Sequence, residues 1–128
     1  MIVYSPMQAG LLTGTFTEAR RAALPANDWR TLSPDFNGED LRRNIALADA
    51  LKPIALRHGV TQGALAAAWT LAWPGVTAPI IGARRAAQVD GWLSVATLEL
   101  TEVDLQEIAD AIASTGAGFG PSKPARKA

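Results

Sequence analysis

Only two short stretches of this sequence have the character of β-strand, and some seventy residues separate them. The first is Ile2-Val3-Tyr4, all strand formers, which runs straight into Ser5-Pro6. The second is Thr77–Ile81, which follows the break at Pro74-Gly75. Loop and helix fill the space between, and strands separated by helices pair in parallel. Two parallel strands cannot form a covered sheet alone, because their unpaired edges and apolar faces need neighbours. The reading is therefore α/β and helix-rich, a piece of a larger parallel sheet. Met1 abutting a strand points the same way, towards a chain that starts inside a domain.

The helical stretches are set by spacing and punctuation. Residues 14–38 hold Gly14, Pro25, Asn27-Asp28, Ser33-Pro34 and Asn37-Gly38, a long loop with a short helical turn expected at Glu18–Ala23. Loops of this length tend to be functional or disordered. From Glu39 to Arg57 the residues Leu41, Ile45, Ala48, Leu51 and Ala55 recur on one helical face. Pro53 conflicts with that face, so a bend or two abutting helices are expected there. His58-Gly59 ends the run. Thr61 caps a second, almost wholly apolar helix to about Trp73, expected to be buried on most sides. A further helix begins near Ala86. Thr101 caps the last one, with Glu102 and Asp104 in its first turn and Leu105, Ile108, Ala109 and Ile112 as its buried stripe. The glycines and prolines after Ser114 predict a disordered tail over 114–128, and Lys123, Arg126 and Lys127 in it read as solvated charge.

Composition excludes several classes. With 128 residues the chain has room for one small domain with a core. Its 12 basic and 12 acidic residues cancel, leaving no net field to attract nucleic acid or an anionic membrane. It has no cysteine, which removes disulfides and thiolate metal sites, and no metal site is expected. No apolar run reaches a membrane span, and no signal peptide opens the chain. A cytoplasmic location is the expectation.

Two motifs carry a family resemblance. Tyr4-Ser5-Pro6-Met7-Gln8-Ala9-Gly10-Leu11-Leu12-Thr13-Gly14 resembles the loop after the seventh strand of the aldo-keto reductases. Pro79-Ile80-Ile81-Gly82-Ala83-Arg84-Arg85-Ala86-Ala87-Gln88 resembles the eighth strand and its loop. Between them, His58-Gly59-Val60-Thr61 and Ala66–Trp69 look like the family's helical link. The resemblance covers about residues 2–113 and implies the C-terminal half of a TIM (β/α)8 barrel, a partial barrel of its last two strands with their helices, in a unit spanning 1–113. It implies NADP(H) as cofactor, with NAD(H) not excluded, and reduction of aldehydes or ketones as the reaction of the whole barrel.

By this resemblance Tyr4 stacks on the nicotinamide, while Ser5, Pro6, Met7, Gly10 and Leu11 lie in the loop lining the pyrophosphate. Backbone amides, a hydroxyl and a glycine suit an anion. Gly82, Ala83, Arg84, Arg85 and Gln88 surround the adenosine 2'-phosphate, where two guanidiniums beside a helix start make a sensible phosphate site. Arg30 folds over the cofactor from the long loop. The sequence departs from the family at Thr15, where lysine is frequent, and at Gly91 and Trp92, where Glu-Asn is frequent. Trp92 has two readings, stacking on adenine or packing. Trp69 and Trp73, four residues apart, read as core and helix-end packing. His58 is read as a helix-end residue rather than a ligand or base, and Asp49 and Glu107 as surface charges.

The family's catalytic tyrosine, lysine, aspartate and histidine come from the first half of its barrel, and no such motif occurs here. Tyr4, the only tyrosine, matches the stacking position. No catalytic residue is assigned, and no carbonyl reduction is expected of the chain alone. Three readings follow: part of a reductase gene, one chain of a split reductase partnered by the other barrel portion, or a non-catalytic cofactor-binding or interaction module. The isolated chain is expected to fold poorly or to self-associate through its open strand edge.

Overall fold

The computed structural model describes residues 1–125. The elements run β1 (Ile2–Tyr4), α1 (Glu18–Ala22), α2 (Gly38–Arg57), α3 (Gln62–Leu71), β2 (Ala78–Ile80), α4 (Ala86–Asp90) and α5 (Glu102–Thr115), with 3-10 turns after β1, between α1 and α2, and between α4 and α5. The strands pair in parallel, Ile2 opposite Ala78 and Tyr4 opposite Ile80, as a sheet of two. The backbone N–H of Thr77 donates to the carbonyl of Met1 at 2.8 Å and continues the ladder.

Three helices form the body. α2 packs against both α3 and α5. Leu47, Leu51, Ile54, Leu65, Ile108 and Ala117 make the central core, with Trp69, Leu100 and Ile112 packed on it. Every residue of α3 from Gly63 to Ala68 is buried, as its apolar sequence requires. Thr61 caps α3 by accepting from the Ala64 N–H at 3.1 Å. Thr101 caps α5 by accepting from the Asp104 N–H at 3.2 Å. No helix among the described residues is long and apolar enough to cross a membrane.

Four details differ from the sequence reading. α2 is one continuous helix through Pro53, not two. Pro53 and Asp49 face solvent, so water can satisfy the carbonyl that the ring leaves without a donor. α3 ends at Leu71, leaving Trp73 beyond it, with the two indoles edge-to-face at 5.3 Å. The stretch after Ser114, read as disordered, is anchored to the body at a few points in its described part, while residues 118–121 are exposed. Gly116 takes the left-handed cap of α5, Ala117 is buried in the core, Pro124 is buried, and Lys123 donates to Gln106 at 2.9 Å. One buried alanine straight after a helix cap is too small a signal to outweigh the glycines around it. Arg126 and Lys127 lie outside the described residues.

The fourth difference is His58. It ends α2 as expected, but its Nε2 lies 2.9 Å from Asp104 Oδ2. Asp104 is 1% exposed and also accepts from Arg57, from the Thr101 N–H at 2.8 Å and from the Thr101 hydroxyl at 2.7 Å. Burial pushes its carboxyl up, but these donors outweigh burial and hold it well below the usual carboxylate range. Glu107, read as a plain surface charge, pairs with Arg57 at 3.0 Å. The C-terminus of α2 is thus clamped to the N-terminus of α5 by charge, in the orientation both helix dipoles favour.

Candidate functional site: an arginine-lined cleft beside the strand ends

Both strands deliver their chains into loops on the same side, because parallel strands share a direction. Between those loops lies a cleft of about 750 Å³. The loop after β1 forms one wall, with Ser5, Pro6, Met7, Ala9 and Gly10; Gly82, Arg84, Arg85, Gln88 and Trp92 form the other; Thr61 and Gly63 of the α3 start line it as well.

The first wall has an unusual backbone. Ser5, Gln8 and Ala9 all have positive φ, at 54°, 48° and 52°, and Gly10 follows at 99°. Three non-glycine residues in the left-handed region within five positions are costly and persist only where surroundings enforce them. Local hydrogen bonds do so here, from Gln8 N–H to Ser5 O at 2.9 Å and from Gly10 N–H to Met7 O at 3.0 Å. Gly14 closes the turn at φ 75°, where any other side chain would be strained and its Cβ would displace the Gln62 amide.

The long loop is internally tied rather than loose. Phe36 is buried, with Phe16 edge-on at 5.1 Å and Trp29 at 5.6 Å. Arg21 Nε donates to Phe36 O at 2.9 Å and Asn37 Nδ2 donates to Ser33 O at 2.7 Å. This frame places Arg20 and Arg30 over the Phe16 ring, at 5.7 and 5.9 Å, on the rim of the cleft. Arg30 forks onto Asp28, with Nε to Oδ1 at 2.9 Å and Nη2 to Oδ2 at 2.6 Å. That hydrogen bonding lowers the Asp28 carboxyl to about 2, and Arg84 adds to the effect. The tip of the loop therefore feels the charge of the opposite wall.

Of the residues expected at the site, Ser5, Pro6, Met7, Gly10, Arg30, Gly82, Arg84, Arg85 and Gln88 line this one cleft. Tyr4 stands beside it at the end of β1, 82% exposed, and Ala83 lies between lining residues without joining them. Leu11 is placed elsewhere: it is 0% exposed, in a second core cluster with Phe16, Phe36 and Leu41. An apolar side chain beside a strained loop gains more from that core than from a polar cleft. Ala9, Thr13, Phe16, Arg20, Thr61 and Gly63 line the cleft without having been singled out. Arg20 was legible only as one of several charges in a short helix.

Gln88 is the positioning element of the second wall. Its Oε1 accepts from the backbone N–H of Arg84 at 2.8 Å and of Arg85 at 3.1 Å. Those amides are thus engaged, and any anion grip here falls to the guanidiniums. The charged residues lining the cleft are Arg20, Arg30, Arg84 and Arg85, with no acidic residue among them. The lining also contains no His, Lys, Tyr or Cys. The charge of such a cleft suits an anion, and its lining carries no side chain able to exchange a proton near neutrality. A second cavity, about 310 Å³ between the helices of the body, is lined by Leu47, Leu51, Leu65, Trp69 and Ile108 among others and has no charged lining residue. Among the described residues no group of three or more His, Asp or Glu is placed to hold a metal.

A sequence profile of the Aldo/keto reductase family matches residues 1–113. The chain belongs to the aldo/keto reductase family. The Schizosaccharomyces pombe aldo-keto reductase yakc, whose name carries NADP(+), is 28% identical over 124 residues, covering 94% of this chain and 36% of that protein. The NADH-specific methylglyoxal reductase of Escherichia coli is 30% identical over 113 residues, covering 86% of this chain and 33% of the reductase. Among solved structures, the glycerol dehydrogenase of Gluconobacter oxydans superimposes with a TM-score of 0.81 at 28% identity, over 99% of this chain and 37% of that one. The chain thus spans about a third of the length of the relatives it matches, and its helix-rich α/β unit corresponds to part of an aldo/keto reductase barrel.

Proposed function

We propose that this chain is the nicotinamide-dinucleotide-binding portion of an aldo/keto reductase barrel, supplying its last two strands with their helices over residues 1–113. The observation that carries the reading is the cleft whose charged lining is arginine alone, at the ends of two parallel strands. Its volume lies within the roughly 300–1,000 Å³ of ligand clefts, and guanidiniums are the natural partners of phosphate. The strained Ser5–Gly10 loop brings main chain to one wall, as close approach to a pyrophosphate requires. Tyr4, exposed at the strand end, has a ring free to cover a nicotinamide.

In this reading Arg84 and Arg85 take the 2'-phosphate and favour NADP(H) over NAD(H). The two relatives named above carry NADP(+) and NADH in their names, so preference rests on this chain's own arginines. A bound nicotinamide supplies hydride chemistry; these residues supply grip and orientation. Proton transfer to a carbonyl needs an acid that the cleft lining lacks. His58, the only histidine, is engaged by Asp104 in the helical body. The chain alone therefore binds cofactor without reducing a carbonyl, and the acid–base set comes from another part of the barrel, in the same protein or a partner chain. The absence of proton-transfer groups also favours, as a second reading, a module that binds cofactor without turnover.

Titration with NADPH and NADH, followed by quenching of tryptophan emission, tests the proposal. Saturable binding, tighter for NADPH, is expected. Arg84→Ala should weaken NADPH by roughly tenfold, the size of one charge-assisted hydrogen bond, and NADH little. No binding of either cofactor at millimolar concentration would overturn the proposal; equal losses for both would remove Arg84 from the 2'-phosphate.

A further inference from the structure

The end of the cleft around Trp92 is built differently from the rest. Trp92 is half-buried and lines it, directly after the short helix that follows Arg85. Its seat is Gly63: a Cβ there would lie 3.6 Å from Trp92 Nε1 and 2.7 Å from Met7 Sδ. The missing side chain lets an indole and a thioether settle against α3, one from each wall.

The side-chain oxygens near the indole are already engaged. Thr61 Oγ1 donates to Gly91 O at 3.0 Å and accepts from the Ala64 N–H at 3.1 Å. Gln88 Oε1 holds the Arg84 and Arg85 amides. Gly63, Ala87 and Gly91, the other lining residues here, have no polar side chain. Reading an adenine edge requires an acceptor for its exocyclic amine, and no carboxylate stands in the lining. What this end offers is an aromatic face, which takes any base, and guanidiniums, which only donate.

We propose that this cleft recognises its dinucleotide by phosphate and by stacking on Trp92, and does not read the identity of the purine. The inference rests on the cofactor-binding reading above. A site of this kind accepts a hypoxanthine base as readily as adenine, because stacking does not depend on the group at position 6 of the purine.

Calorimetric titration of the full chain with NADPH and with reduced nicotinamide hypoxanthine dinucleotide phosphate decides the matter. Wild-type affinities within about twofold of each other are expected. Trp92→Ala should weaken both by fivefold or more, as a lost stack does, while Trp92→Phe keeps most of the affinity for both. A fivefold or greater preference for NADPH over the hypoxanthine analogue overturns the inference and leaves cofactor binding standing. So does unchanged affinity in a folded Trp92→Ala chain. Failure of wild-type chain to bind either compound overturns the cofactor reading itself.

Discussion

The helical body and the strand side of this molecule are held together in different ways. In the body, Leu65 is 0% exposed, Ile54 2% and Ile108 3%, and the helix ends are capped and clamped by charge. On the strand side, Ile2 is 65% exposed, Tyr4 82% and Ile80 60%, and each three-residue strand has one paired edge. The body buries its own apolar core, though the indole N–H groups of Trp69 and Trp73 are buried there without a partner. The strand side gathers the arginines and the strained loop but leaves apolar surface open, as surface made to be covered by something else does. The apolar core and the proposed site are thus separated in space, and substitutions on the two sides should behave differently.

The largest contrast is between Leu65→Ala and Ile2→Ala. The first empties the centre of the core and should cost about 3–5 kcal/mol in chemical denaturation, whereas the second removes an exposed side chain and should cost under about 0.5 kcal/mol. Similar losses at both positions would erase the distinction.

Next comes the clamp. Asp104→Ala removes a cap and the acceptor shared by Arg57, His58 and Thr101, and a loss of about 2–3 kcal/mol is expected at neutral pH. Asp104 titrates lower in the folded chain than its unfolded value of roughly 3.9, so its contribution is complete above about pH 4 and fades as pH falls further. The stability gap between wild type and Asp104→Ala should therefore narrow in acid. A gap that stays constant down to pH 2 would show that the carboxylate is not the stabilising form.

Smaller effects are expected on the strand side. Ile80→Lys should change stability by less than about 0.5 kcal/mol yet reduce concentration-dependent association in sedimentation, because a charge on an open edge discourages pairing. Unaltered association would place self-contact elsewhere. The smallest change in stability belongs to Gly63→Ala: better helix propensity, worth ~1 kcal/mol, is offset by displacing Met7 and Trp92. Its folding should stay near wild type while NADPH affinity falls severalfold; an unchanged affinity would show that the Gly63 seat is not needed.

The legible parts of this molecule follow from local rules. Helical spacing and the caps at Thr61 and Thr101 locate α3 and α5, and strand formers before Ser5-Pro6 and after Pro74-Gly75 locate the sheet. The parallel pairing then brings eight expected site residues to one cleft, and the long loop adds Arg30. What escaped the sequence depends on distance or on context. His58 and Asp104 are 46 residues apart, and nothing local links them. Leu11 has the right motif position but the wrong polarity for a cleft, and the core took it. Pro53 removes a hydrogen bond on any face, but here the carbonyl it frees meets water and the helix runs on. The pairing of Arg30 with Asp28 was two residues away and readable, but its effect, a rim arginine partly neutralised, needed coordinates.

Amide hydrogen exchange with and without saturating NADPH tests the separation of body and site most directly. The account predicts added protection in residues 5–16 and 82–92, with the cores of α2, α3 and α5 protected equally in both states. No added protection in those two segments, or protection confined to the helical body, would contradict it.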